Sequence, residues 1–179
     1  MTAFTVNVID QQARAALKTL AARVQNPAAV MHAIAEGITE RTKRRFDTSK
    51  GPDGQVWKPN SAATLGMLSA RLAGSKNNRK KDGSLNAKGS RALGNKKPLI
   101  DSGFLRQQIV PSSTATSLSV TATALYAAIH QFGGKAGRGL TVTIPARPFL
   151  PVRQDGSLYP KEGELILGEI NAFLMEGLS

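Results

Sequence analysis

Apolar residues along this chain recur at two periods, and each period predicts a different kind of element. Ala13, Leu17, Leu20 and Val24 fall at helical spacing and predict an amphipathic helix over 10–24 with a narrow apolar stripe. Asn26-Pro27 interrupts it, and proline suits the first position of a new helix. Met31, Ile34, Ala35 and Ile38 then mark the buried face of a second helix over 27–46. A shorter helix is predicted over 61–72, capped by Asn60 or Ser61. The second period follows later, where Leu118 and Val120 alternate with Ser and Thr. It predicts a half-buried strand over 117–123, beside another over 107–112. A third strand is predicted over 140–144, with Val142 and Ile144 on one face, after a short buried helix over 124–131. The last helix, over 161–178, carries Leu167, Ile170, Leu174 and Leu178 as its stripe beside Phe173.

Turn chemistry separates these elements. Asp47-Thr48-Ser49-Lys50-Gly51-Pro52-Asp53-Gly54 delivers Trp57, the one tryptophan, just before Pro59, and Asp155-Gly156 precedes the last helix. Neither a βαβ alternation nor a repeat is present. The predicted class is therefore α+β: a small antiparallel sheet of three to four strands, flanked by N-terminal helices and a C-terminal helix, with a long basic central loop. At 179 residues the chain is read as a single domain over 1–179, long enough to bury a core without covalent staples. A sheet this short leaves its edges open, and open edges invite pairing with a neighbouring copy.

Charge changes the picture in one place. The formal net charge is +12, from 24 basic and 12 acidic residues. Between Arg71 and Lys97 lie nine Lys and Arg against Asp82 alone, so most of the excess sits in one segment rich in Gly, Ser and Asn. A block of like charge repels itself and resists packing, which predicts a flexible basic insert over 71–97. Its surroundings are water, nucleic acid or an acidic protein face, since basic runs commonly contact phosphates. Arg41, Lys43, Arg44 and Arg45 crowd the last turns of the second helix. There they complement the helix dipole, with nucleic-acid contact as the alternative. The chain has no cysteine, which excludes disulfides and thiolate chemistry. The N-terminal residues show no signal-peptide pattern and no window reaches a membrane-spanning length, so a soluble chain made in the cytoplasm is expected.

Candidate chemistry is sparse. His32 and His130 stand apart from any cluster that could ligate zinc and are read as structural. The carboxylates are scattered: Asp53 and Asp101 read as caps in turns, while Glu162 and Glu164 suit the N-terminus of the last helix. Ser102 lies in no nucleophile elbow. The glycine-rich run 133–139 matches neither a phosphate loop nor a dinucleotide fingerprint. No catalytic constellation emerges, and neither enzyme activity nor any cofactor or metal is expected.

Four pieces in order nonetheless resemble a known family: Phe46 through the turn Pro52-Asp53-Gly54 to Trp57; Leu99-Ile100-Asp101-Ser102-Gly103-Phe104-Leu105; Tyr126-Ala127-Ala128-Ile129-His130-Gln131-Phe132-Gly133-Gly134; and Ile144-Pro145-Ala146-Arg147-Pro148-Phe149-Leu150. Together they resemble the virion morphogenesis, or tail-completion, proteins of Mu-like and P2-like tailed bacteriophages. The resemblance implies a non-catalytic component of the neck, at the virion's head–tail junction, assembled in the host cytoplasm. It further implies a homo-oligomeric ring, commonly hexameric, whose partners are the portal or connector, the tail terminator or the tail tube, with packaged DNA passing through the channel. Pro145, Arg147, Pro148 and Phe149 are then candidate contacts to a neighbouring subunit. For Arg147 an intrachain salt bridge is the equal alternative. Lys76, Arg79, Lys80, Lys81, Lys88, Arg91, Lys96 and Lys97 are candidate contacts to DNA or an acidic partner. Trp57, Gly103, Tyr126, His130, Phe132, Gly133 and Gly134 form the structural motif, with Trp57, Tyr126, Phe132 and Phe149 read as core. A basic module that binds nucleic acid without sequence preference is the alternative function.

Overall fold

The computed structural model describes residues 11–176. It begins with helix α1 (Gln11–Gln25) and, after the Asn26-Pro27 break, helix α2 (Ala28–Thr48). In α2, Val30, Ile34, Ile38, Thr42 and Phe46 recur every fourth residue and are buried together with Ala35, Thr39 and Arg45. A stripe at that spacing runs along one side of a helix and needs a partner on that side. The buried face starts at Val30 rather than Met31, which is only half-buried. The helix ends at Ser49, whose left-handed φ of 54° stops the chain before the next turn.

Three elements lie before the first sheet: α3 (Ala62–Ala73), α4 (Ala87–Gly94) and the single turn α5 (Phe104–Gln107). Ser61 caps α3 through its side chain, which accepts from Thr64 N at 3.2 Å. Strands β1 (Ile109–Ser113) and β2 (Leu118–Ala122) pair antiparallel, with Ile109 opposite Ala122 and Ser113 opposite Leu118. Their alternation turns Ile109, Val120 and Ala122 toward the core and leaves Val110 outside. After α6 (Ala127–Phe132), strands β3 (Gly134–Ala136) and β4 (Val142–Ile144) form a second antiparallel pair, and α7 (Pro160–Met175) follows. The fold is thus α+β with a C-terminal helix, as expected. The strands, however, divide into two separate two-stranded sheets. Residues 134–136, read as part of a turn, pair with 142–144 and keep that strand out of the first sheet.

Helix α2 packs against the β1–β2 hairpin and against α7, and α1 lies along α7. One core cluster joins Val30, Ile34 and Ile38 to Leu118, Val120, Ile166, Ile170 and Phe173. The other joins Phe46, Trp57, Leu105, Ile109, Ala124, Ala127 and Phe149. Each large apolar side chain withdrawn from water in this way contributes about 1.5–3 kcal/mol.

Both outer helices depart in part from the expected stripes, although Ile170 and Phe173 are inward as read and Leu20 and Leu174 are half-buried. In α1, Leu17 and Val24 are 65% and 63% exposed, and the side facing α7 is marked by Arg23 stacked over the Phe173 ring at 5.4 Å. In α7, Leu167 is exposed while Ile166, Ile170 and Phe173 face inward. Glu162 and Glu169 share that inward face, which explains the rotation below. The expected helix limits at Asp10 and Leu178 lie outside the described residues.

The segment 71–97 is also not the structureless loop that its charge predicts. It holds the end of α3, a 3-10 turn at Lys76–Asn78, an Arg79–Leu85 bridge and α4. Asn86 caps α4 by accepting from Gly89 N at 3.0 Å, and Asn86 N donates to Asn78 O at 2.9 Å. The bridge closes a turn built like two others in the chain. Asp53-Gly54, Asp82-Gly83 and Asp155-Gly156 each place glycine at φ between 80° and 85°, and each aspartate accepts from the backbone N–H two residues on. Only glycine adopts that backbone without strain, and a short carboxylate closes the turn locally.

Gly133 is constrained both by its backbone angles and by a close neighbour. It has φ 75° and ψ 179°, and a Cβ there would stand 2.9 Å from Ala146 N. Gly133→Ala is expected to lower stability by about 1–3 kcal/mol, read as a lower urea midpoint at unchanged slope. An unchanged midpoint would show that the 133–146 contact is dispensable.

Candidate functional site

The four sequence pieces singled out above meet in one hub. Phe46 stacks edge-on against Trp57 at 5.5 Å and tilted against Phe149 at 5.3 Å. Trp57 Nε1 donates to Pro148 O at 2.9 Å, which satisfies the one polar atom of a buried indole. Arg147 runs the opposite way: Nε donates to Lys58 O and Nη2 to Pro59 O, both at 2.7 Å. Leu105 and Ala127 fill the same core cluster, with Leu99, Ile100 and Leu150 at its margin.

Gln131 completes the hub. Its Oε1 accepts from Phe149 N and Leu150 N at 2.8 and 2.9 Å, while Nε2 donates to Leu150 O and Val152 O at 3.1 and 2.9 Å. One buried amide side chain thus does what a neighbouring strand would do for the 149–152 backbone, using its full set of donors and acceptors. Arg147 N donates to His130 O at 2.8 Å beside it. Nothing in the composition or spacing singled out Gln131.

A charged layer locks this hub to α7. Glu162 is buried, with Oε1 accepting from Arg41 Nε and Oε2 from Arg45 Nη2, both at 2.5 Å. Arg45 Nη1 also donates to Phe149 O at 2.7 Å, and Arg41 Nη1 bonds Glu169. Burial lowers the Arg45 pKa against the pull of Glu162. For Arg41 burial also pulls downward, but its hydrogen bonds to Glu169 and Glu162 outweigh it and the pKa ends above the ordinary value. Arg45 and Glu162 do stand in the last turn of α2 and the first turn of α7, where the dipole reading places them, but with Arg41 they do more than complement a dipole. They pair across elements, because a carboxylate buried this deeply needs two compensating cations.

These arrangements are built for holding shape. Among the described residues no group of three or more His, Asp or Glu is placed to hold a metal ion, and no helix is long and apolar enough to cross a membrane. The comparisons with known proteins bear on the same stretch of chain. The profile of the phage virion morphogenesis family matches residues 8–162, which include the whole hub and the start of α7. The chain belongs to that family. It is also 53% identical over 53 residues to "Mu-like prophage FluMu G protein 2" of Haemophilus influenzae, a match covering 30% of this chain and 38% of that protein. The matched stretch therefore spans well under two thirds of that relative's length. No solved structure matches. Membership assigns the chain a structural role in phage particle assembly and associates it with the virion.

Within this family member, the expected contact residues separate into two groups. Arg147 and Phe149 are buried and bonded inside the chain, so neither offers a side chain to a neighbour, and Arg147 grips carbonyls in place of the expected carboxylate. Pro145 and Pro148 are half-buried beside them. Trp57 is core as read, but Tyr126 and Phe132 are 44% and 40% exposed. Tyr126 lies edge-on to His130 at 5.7 Å. Gly103, at φ 84°, opens the turn that buries Leu105, and Gly134 begins β3.

Of the eight expected basic contacts, Lys76, Arg79, Lys80, Lys81, Lys88 and Arg91 are exposed and form no ion pair with a described acid. The other two are tied back. Lys96 pairs with Asp101 at 2.6 Å, beside the Arg71–Asp101 pair at 2.9 Å, and Lys97 Nζ donates to Asp47 O at 2.6 Å. Hydrogen bonds from Arg71 and then Lys96 hold the Asp101 carboxyl well below the usual carboxylate range. The basic segment is therefore clamped at its base and free at its tip.

Two measurements test the hub. Glu162→Gln leaves Arg41 and Arg45 without their shared carboxylate and is expected to cost about 3–5 kcal/mol, the usual consequence of breaking a buried pair from one side. Denaturant unfolding checks this, and a loss below about 1 kcal/mol would demote the pair to a surface bridge. Burial, and then the charge of Arg147, lower the His130 pKa beneath its ordinary 6.5, and its Nδ1 is buried without a partner. The unfolded chain therefore binds a proton there first as pH falls. Stability is whole above pH 6.5 and declines as pH drops below it. His130→Gln is expected to flatten that decline in unfolding series run from neutral to mildly acid pH. An unaltered decline would assign it to other groups.

Proposed function

We propose that this chain is a tail-completion protein of the phage neck, closing into an oligomeric ring, six-fold, that joins the DNA-filled capsid to the tail. The observation that carries the reading is a rigid hub surrounded by uncovered pairing surface. Two two-stranded sheets present open edges, and Val110, Leu125, Tyr126, Leu140 and Val142 stand exposed on or beside them, Leu125 entirely so. Open edges and clustered apolar side chains are what a second copy covers. A closed ring does this with head-to-tail interfaces, each pairing one patch with a different one. Pro145 and Pro148 stiffen the loop between β4 and the hub, so docking through that region loses little conformational entropy. The remaining faces of the ring then meet the portal or connector on one side and the tail terminator or tail tube on the other.

The six free cations of the basic segment favour a second reading, a nucleic-acid-binding module without sequence preference. Phosphate neutralisation needs only such cations. Stacking on single strands needs aromatics, and residues 58–103 contain none. Within a neck ring the same cations suit the backbone of DNA in transit, which contacts without reading.

Light scattering and electron microscopy of the purified protein, alone and with purified tails, test the primary reading. A ring near six subunits is expected. Leu125→Lys with Val142→Lys is expected to abolish it while leaving the unfolding midpoint of the subunit unchanged, since both side chains are already exposed. A monomer under all these conditions, with tight and salt-sensitive DNA affinity, would replace the ring by the second reading.

A further inference from the structure

The last turns of α2, the Asp53-Gly54 turn and the first turn of α7 enclose an open cleft of about 230 Å³. Five of its side chains are cationic, Arg41, Arg44, Arg45, Lys50 and Lys161, against one acid, Glu162. Both oxygens of that acid are taken, one by Arg41 and one by Arg45. Asp53 also acts on Arg45, but its Oδ1 is occupied as the turn's own acceptor from Gln55 N at 3.0 Å. Arg44, Lys50 and Lys161 are exposed, arrive from three different elements, and form no ion pair with a described acid. Arg41 also lines the cleft, but its guanidinium is committed to Glu162 and Glu169, and its Nη2 is buried together with Glu169 Oε2.

We propose that this cleft is a binding site for an oxyanion of the phosphate class. Arg44, Lys50 and Lys161 supply both the charge and the hydrogen-bond donors. Three uncompensated cations exceed what a single carboxylate neutralises, whereas a phosphate group offers more charge and acceptor oxygens facing several directions. A cleft lined by one sign of charge also concentrates counter-ions from solution, so the site collects its ligand before any contact forms. The hub uses Arg41, Arg45 and Glu162 on the floor of this cleft but not Arg44, Lys50 or Lys161, and the exposed sheet edges do not use it, so the inference stands apart from the neck reading. Free phosphate and a phosphodiester backbone present the same chemistry here.

The full-length protein is titrated with inorganic phosphate at constant ionic strength, following the phosphorus NMR line width and the thermal midpoint. Both signals are expected to saturate, because a ligand bound only by the folded state raises its midpoint by mass action. Arg44→Gln with Lys161→Gln is expected to weaken phosphate binding at least about tenfold, on the scale of one charge-assisted hydrogen bond lost. The pair Arg44→Lys and Lys161→Arg, which keeps the charge, is expected to retain most of the binding. Both side chains are exposed and unpaired, so the variants are expected to fold. A short DNA duplex added to the phosphate-loaded protein separates the two sources. Displacement that Arg44→Gln with Lys161→Gln weakens assigns the site to a nucleic-acid backbone, and the absence of displacement assigns it to the free ion. A titration that does not saturate, or one that is identical in the charge-removing variant, overturns the site.

Discussion

A single carboxylate withdrawn from water sets the relation between the halves of this fold. Glu162 enters from α7, and its two oxygens are met by Arg41 and Arg45, four residues apart on α2. Burying such a group costs several kcal/mol unless its partners arrive in good geometry. The geometry therefore fixes both the rotation of α7 and its height along α2. Once Glu162 faces inward, helical spacing carries Ile166, Glu169, Ile170 and Phe173 inward after it and turns Leu167 outward. Arg45 extends the same constraint to the Phe149 carbonyl, so the rotation of α7 and the placement of the hub are not independent. An apolar pair of equal volume would bury as well, but it would tolerate a slip along the helix that two directed ion pairs forbid.

Inside that frame the hub solves a problem of backbone satisfaction. Residues 144–152 have little regular structure after β4, yet Arg147, Phe149 and Pro151 among them are buried. Their polar groups must find partners there, because an unmet buried amide or carbonyl is costly. Side chains supply them: Gln131 for residues 149, 150 and 152, Trp57 for Pro148 O, and Arg45 for Phe149 O. The prolines at 145 and 148 reduce the need by removing N–H groups. Sequence pieces as distant as Phe46 and Leu150 thus become interdependent without any extended sheet.

This division explains what was legible beforehand. Elements governed by local rules were readable, such as α2 from its stripe, the Ser61 cap, the β1–β2 alternation and two of the Asp-Gly turns. The buried face of α1 and α7 was legible only in part, Ile170 and Phe173 but not the exposure of Leu17, Val24 and Leu167, because several faces carried enough leucine and valine and only a partner could choose among them. In α2 a signal was available: Arg41 and Arg45 stand three and seven residues after Ile38, on the buried side, where dipole capping needs no particular face. Residues 71–97 misled by composition. Net charge argues against a hydrophobic core, but this segment is held by Asn86 caps, a glycine turn and the Asp101 bridges, which require little apolar surface. Gln131 was beyond reach, since the backbone it serves comes near only in the folded chain.

Charge is distributed on the same principle as the apolar surface, satisfied within and left open outside. Six of the eleven acids among the described residues form ion pairs inside the chain, Glu176 with Arg23 being one. Glu40 pairs with Lys43, Asp47 with Arg106, Asp101 with Arg71 and Lys96, and Glu162 and Glu169 with Arg41 and Arg45. The six cations at the tip of the basic segment are left over, against five described acids without an ion pair: Glu36, Asp53, Asp82, Asp155 and Glu164. Pairing between copies can therefore cover the apolar sheet edges but cannot neutralise these charges. Stacking further copies around a ring adds like charge to like charge, a repulsion that grows unless an anionic molecule is present. The ring proposed above would therefore draw on two kinds of partner: its own copies for the exposed apolar edges, and something anionic for the surplus of positive charge.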